Sequence, residues 1–82
     1  MRILQIIDSL NVGGAEKMAV NYANSLAKIE EFSGIVVTRK EGVLKSQINE
    51  NVGYLFLARK RRIDIGAIKR LKKYCIENNI DH

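Results

Sequence analysis

The chain has 82 residues, 46% of them hydrophobic and 28% charged, with a formal net charge of +5, a single Cys and no Pro. That is chain enough for one small domain with a modest core. It excludes an internal disulfide framework and a low-complexity or repetitive chain, and no apolar run approaches the roughly 20 residues that a membrane-spanning helix needs. Residues 1–7 also fail as a signal peptide, because their apolar core is short, Asp8 follows at once and no small-residue cleavage site appears. The expected location is therefore cytoplasmic, in keeping with the lone Cys75.

In chain order, ILQII (residues 3–7) is too continuously apolar for a half-exposed strand and too short for a helix, so it reads as a buried parallel-type strand ending at Asp8. SLNVGG (residues 9–14) supplies turn chemistry. Ala15, Met18, Ala19, Tyr22, Ala23 and Leu26 then recur at three- and four-residue spacing, which predicts a helix from Gly14 to about Glu30 with Lys17, Asn21, Asn24 and Lys28 on its outer face. With Gly13 as N-cap, Glu16 takes the third helical position, where its carboxylate can reach back to a free backbone N–H as half of a capping box. IVVT (residues 35–38) predicts a second buried strand, residues 39–42 a turn, and Val43, Leu44 and Ile48 a short amphipathic helix that gives out around residues 49–51. Residues 52–57 make a third strand. Asp64 is placed to cap a last helix, ending at Asn78 and Asn79, in which Ile65, Ile68, Leu71 and Cys75 share a face and Gly66 is a weak first-turn residue. On that face Cys75 is a small core residue and not a nucleophile. The fold class that this alternation predicts is α/β, a Rossmann-like βαβαβα layered unit on a parallel sheet with right-handed crossovers.

The excess positive charge is concentrated late in the chain, in the run Arg59, Lys60, Arg61 and Arg62 and in Lys69, Arg70, Lys72 and Lys73. Such a cluster can draw in nucleic acid, anionic lipid or phosphorylated ligands, and its plainer reading is a solvated loop and helix face. The aromatics Tyr22, Phe32, Tyr54, Phe56 and Tyr74 follow apolar patterns and do not interleave with the basic run. A stacking-based single-strand binder is thereby disfavoured, and nucleic acid is not the expected partner.

Neither GxGxxG nor GxxxxGK[ST] is present; the loop offers only the pair Gly13 and Gly14 at a helix start. A glycine-lined helix N-terminus can present free amides to an anion, and glycine there permits close approach of a ligand or a positive φ. The plain alternative is a tight turn.

The string IIDSLNVGGAEKMAVNYANSLAK closely resembles the opening of bacterial family 4 glycosyltransferases, retaining enzymes of the GT-B fold, in which the first strand leads into a loop reading roughly D-x-L-x-x-G-G-A-E-[RK]. The likeness continues more loosely through VVTRKEGVLKSQI, the V-x-Y-L-F-L strand and IDIGAIKRLKKYC, so it spans essentially the whole chain in the family's order. It implies the acceptor-side N-terminal half-domain of a GT-B enzyme, truncated at residue 82, with the C-terminal donor-binding domain absent. Gly13 and Gly14 would be the loop glycines near the donor diphosphate, with Gly14 offering an amide, and Asn11, Glu16 and Lys17 would support the loop. Arg59, Lys60, Arg61 and Arg62 would be a membrane or anion patch. No catalytic residue, metal or cofactor is implied within these residues; the nucleotide-sugar is a co-substrate and the acceptor a glycan or a lipid-linked molecule at the cytosolic membrane face. The family's paired donor-domain glutamates are not matched here, His82 matches no family histidine, and the chain alone is expected to transfer no sugar. In the strand order that the resemblance implies, the second and third strands lie to one side of the first and a fourth would cover its other edge.

Overall fold

Continuous apolar runs in short segments, separated by two amphipathic stretches, produce a small α/β domain with a three-stranded parallel sheet and two helices. The structure is a computed structural model and describes residues 1–11, 13–60 and 64–81. In order it comprises β1 (Arg2–Ser9), α1 (Gly14–Leu26), β2 (Phe32–Lys40), a short 3₁₀ helix (Val43–Gln47), β3 (Gly53–Phe56) and α2 (Ile65–Glu77). Each predicted element is present. The strands pair in the order β1-β2-β3, all parallel. The first helix stops at Leu26 and not near Glu30, because the following amides fold into tight turns, Lys28 N–H to Ser25 and Ile29 N–H to Leu26. The segment at Val43 is a 3₁₀ turn, capped by Gly42 in extended conformation.

β2 is the centre of the core. Ile35, Val36 and Val37 are fully buried, and the alternation of a strand sends them to opposite faces. Ile35 and Val37 pack with Leu10, Val20, Ala23, Leu44 and Val52 on the α1 side. Val36 packs with Leu57 and Ala67 on the α2 side, where Leu4, Leu55, Leu71 and Tyr74 close around it.

Ala19, Ala23 and Leu26 on α1 and Leu71 on α2 face the core as their periodicity predicts, and both helices are rotated so that the other predicted residues turn outward. On α1 the buried residues are Ala19, Val20, Ala23 and Leu26, while Met18 is 72% and Tyr22 61% exposed. Small Ala19 and Ala23 let the helix sit close to the sheet, where buried Ser33 donates its hydroxyl to the Ala23 carbonyl (2.9 Å) and Gln5 donates to that of Ala19 (3.1 Å). On α2, Ala67 is buried with Leu71 and Tyr74 beside it, whereas Ile65 and Ile68 are exposed and Cys75 is half-buried. Both stripes satisfy the same spacing. The sheet takes the one with the small residue, and Asp64 caps the helix as expected, accepting from the Ala67 amide at 3.1 Å.

After α2 the chain returns to the outer side of β1. The Asp81 amide donates to the Arg2 carbonyl (3.1 Å), the Arg2 amide donates to Asp81 Oδ1 (2.9 Å), and Arg2 Nε donates to the Asn78 carbonyl. Beyond that contact the β1 edge flanks an open groove of about 640 Å³ lined by Gln5, Ala15, Met18, Ala19, Tyr22 and Ser25 among others. Apolar side chains beside an unpaired edge favour association with a further strand. Sedimentation velocity is expected to show self-association of this chain, and Ile6→Lys, which places a charge on the exposed β1 side chain, should weaken it at least tenfold; a monodisperse monomer would contradict the expectation.

Candidate functional site

The turn between β1 and α1 lies at the C-terminal end of the sheet, where open parallel sheets bind ligands. Leu10 anchors it: the side chain is fully buried, its amide donates to the Lys40 carbonyl (3.2 Å), and its carbonyl accepts from the Leu44 amide (3.1 Å). Gly42 is what permits this. A Cβ there would collide with the Leu10 carbonyl group and stand 2.5 Å from the Asn11 amide nitrogen, all backbone atoms that cannot yield. Gly42 was invisible to motif reading, because its role comes from a contact 32 residues away in sequence and not from the turn it occupies.

Gly13 is the N-cap of α1, as predicted, with φ of −163° and ψ of 161°. No glycine among the described residues has positive φ, so the conformational licence of glycine is not what this turn uses. Close approach is what it offers. A Cβ at Gly13 would lie 2.9 Å from Glu16 Oε1, and a Cβ at Gly14 would meet nothing within 4 Å. Glu16 does not complete the capping box: its carboxylate folds over Gly13 and accepts from the Ser9 hydroxyl at 3.4 Å. Asn11 and Lys17 are exposed, and Lys17 contributes its amide to the first helical hydrogen bond, to the Gly13 carbonyl at 3.0 Å. A cavity of about 320 Å³ lined by Ile7, Asp8, Ser9, Ala15 and Glu16 opens at this point. Its polar wall can take up hydroxyl groups through Ser9 and Glu16, and the Gly14 amide stands at the head of α1 with no side chain to obstruct it.

On the other face of the same strand end, Asp8 accepts from Thr38 Oγ1 (2.8 Å) and Arg39 Nε (2.7 Å), pairs with an Arg39 terminal nitrogen, and takes a longer contact from Arg59 (3.5 Å). The Arg39 and Thr38 hydrogen bonds hold the Asp8 carboxyl below the usual range. Of the predicted basic patch, Arg59 is turned inward onto Asp8 and only 26% exposed, and Lys60 is exposed, its amide donating to Asp64 Oδ2 at 3.3 Å. Arg61 and Arg62 lie outside the described residues, as does His82. Arg70 also folds in, its guanidinium donating to the Leu57 carbonyl. Among the described residues of the cluster, Arg59 and Arg70 direct their guanidinium groups onto Asp8 and the Leu57 carbonyl, and Lys60, Lys69, Lys72 and Lys73 are exposed. Among the described residues no group of His, Cys, Asp and Glu is arranged to hold a metal, and no helix is long and apolar enough to cross a membrane.

Comparison with protein-family models, with curated proteins and with solved structures finds no match to this chain.

The Asp8 contacts carry a pH signature. Its carboxyl binds a proton near ~3.9 when unfolded and at a lower value when folded, so within that window the unfolded chain holds more protons and stability declines as pH falls. Glu41, held low by the Tyr54 hydroxyl (2.5 Å) and Lys45, and Asp64, held low by the Ala67 and Lys60 amides, act in the same direction. Denaturant titrations should therefore show constant stability down to about pH 5 and a progressive loss below it. Asp8→Asn should make that loss shallower; an unchanged slope would show that Asp8 gains nothing from its partners.

Proposed function

We propose that this chain is a Rossmann-like, acceptor-side unit of a retaining GT-B glycosyltransferase, of the family 4 type, acting with a nucleotide-sugar donor and a glycan or lipid-linked acceptor. The observation that carries the reading is the placement of the Gly13-Gly14 turn. It caps the C-terminal end of β1 where β2 and β3 lie to one side and the chain returns after α2 to the other, the kind of switch point at which open α/β sheets bind ligands. The order β1-β2-β3 with the return at Asp81 is the order that the resemblance implies. In this reading the Gly14 amide meets the donor diphosphate, while Ser9 and Glu16 face acceptor hydroxyls. Stabilising the departing diphosphate and holding the acceptor hydroxyl in line are the two tasks of such a transfer, and this half contributes chiefly to the second.

Gly14→Ala is the clean probe, because the added methyl enters open space in the free protein and improves helix propensity. Isotope-labelled chain titrated with uridine and guanosine diphosphates should show saturable shifts of the Gly13, Gly14 and Ala15 amides, with binding at least fivefold weaker in Gly14→Ala and no loss of stability. Absence of those shifts at millimolar nucleotide would overturn the assignment.

A peripheral membrane contact is supported by the outer face of α2, where exposed Ile65, Ile68 and Ile76 are interspersed with Lys69, Lys72 and Lys73. An apolar stripe among lysines suits the interface of an anionic bilayer. Co-sedimentation with phosphatidylglycerol vesicles should exceed that with phosphatidylcholine, weaken with salt and fall severalfold in Ile68→Ser/Lys72→Gln. Equal binding to both vesicle types would remove the membrane from the proposal, and salt-resistant nucleic-acid binding would favour a small basic binding module instead.

A further inference from the structure

Two backbone irregularities lie side by side at the C-terminal rim of the sheet, and each aims an arginine at the same carboxylate. The register passes from Ile7 opposite Val37 to Ser9 opposite Lys40, so Asp8 faces two residues of β2, Thr38 and Arg39. This is a bulge, and it puts beside Asp8 an arginine that regular alternation would send to the α1 face. After β3, Ala58 takes φ of 52°, a left-handed conformation that residues other than glycine avoid. It is held there by the Leu57 amide donating to the Val37 carbonyl (2.9 Å) and the Arg59 amide donating to the Thr38 carbonyl (2.7 Å). The turn brings the Arg59 guanidinium back over β1, 3.5 Å from Asp8. Strained backbone of this kind gathers at ligand-binding rims.

Asp8 orients Arg39 without covering it. Arg39 meets the carboxylate through Nε and one terminal nitrogen, and its side chain remains 61% exposed. Arg39 thus presents a tethered guanidinium at the ends of the strands, beside that of Arg59 and in a position open to a ligand. A planar guanidinium held in place by a second partner matches phosphoryl oxygens in geometry as well as charge. We propose that Arg39 and Arg59, tethered by Asp8 and Thr38, form a phosphoryl-binding site on the α2 side of the rim, taking a phosphomonoester or diphosphate group. It lies across the sheet from Gly13, Gly14 and Glu16, and stands or falls separately from the glycosyl-transfer reading.

The test follows the Arg Nε–H signals of the full chain by NMR at constant ionic strength, in one arm with inorganic pyrophosphate and in the other with vesicles of phosphatidylcholine and phosphatidic acid in equal parts. Saturable shifts of Arg39 Nε–H and the Ala58–Arg59 amides are expected, with at least tenfold weaker binding in Arg39→Gln and less than a twofold change in Lys28→Gln, an exposed lysine in the turn after α1. Response to pyrophosphate assigns a soluble phosphate and response only to phosphatidic acid a lipid phosphate, and either supports the site. No saturable shift at Arg39 in either arm, or equal losses in the two variants, would overturn it and leave the cluster as an ion-pair tie between strands. The wild-type shift map decides the matter even if Arg39→Gln fails to fold.

Discussion

The close approach of two backbones, at Leu10 and Gly42, determines where everything at the sheet's C-terminal rim stands. Leu10 is fully buried and pinned by hydrogen bonds on both sides, to Lys40 and to Leu44, and only a residue without Cβ fits against it. The exit of β1 is thereby fixed, and with it the start of α1 four residues later. A loop carrying candidate ligand contacts gains precision when it is held by the core in this way. Here the hold comes from the β2–3₁₀ connection, an element with no ligand contact of its own in the proposed function.

That anchored rim has two chemically distinct sides. On the α1 side, Ser9 and Glu16 line a small cavity whose polar groups are mostly acceptors. On the α2 side, Asp8 is engaged by Thr38, Arg39 and Arg59, so the electrostatics there are dominated by guanidinium donors. One strand end serves both because Asp8 and Ser9 alternate across the sheet. The core beneath is modest, and β2, with a strand on each edge, supplies its fully buried centre.

Much of this was legible in the sequence. Continuous apolar runs located the strands, the Asp64 cap located α2, and the glycine pair located the turn, since each depends on local chemistry. The helix faces were half legible: Ala19, Ala23 and Leu26 meet the sheet as their spacing predicts, but Met18 and Tyr22 turn out while Val20 turns in, a rotation that the same spacing allows. Nor could the sequence reveal that Gly42 supports the turn, or that Arg59 leaves the basic run to join Asp8. The first depends on a backbone contact with Leu10 and the second on a left-handed Ala58, features produced by tertiary contacts and not encoded in any spacing. The predicted capping box failed for a related reason, as the Ser9 hydroxyl offers Glu16 a partner on another element.

The account depends most on the Leu10–Gly42 contact, and Gly42→Ala tests it directly. Denaturant unfolding should show a loss of about 2 kcal/mol or more, as for an overpacked core, together with displaced amide signals at Ser9, Leu10, Gly13 and Gly14. A variant of unchanged stability whose Gly13 and Gly14 signals coincide with those of the wild type would contradict it.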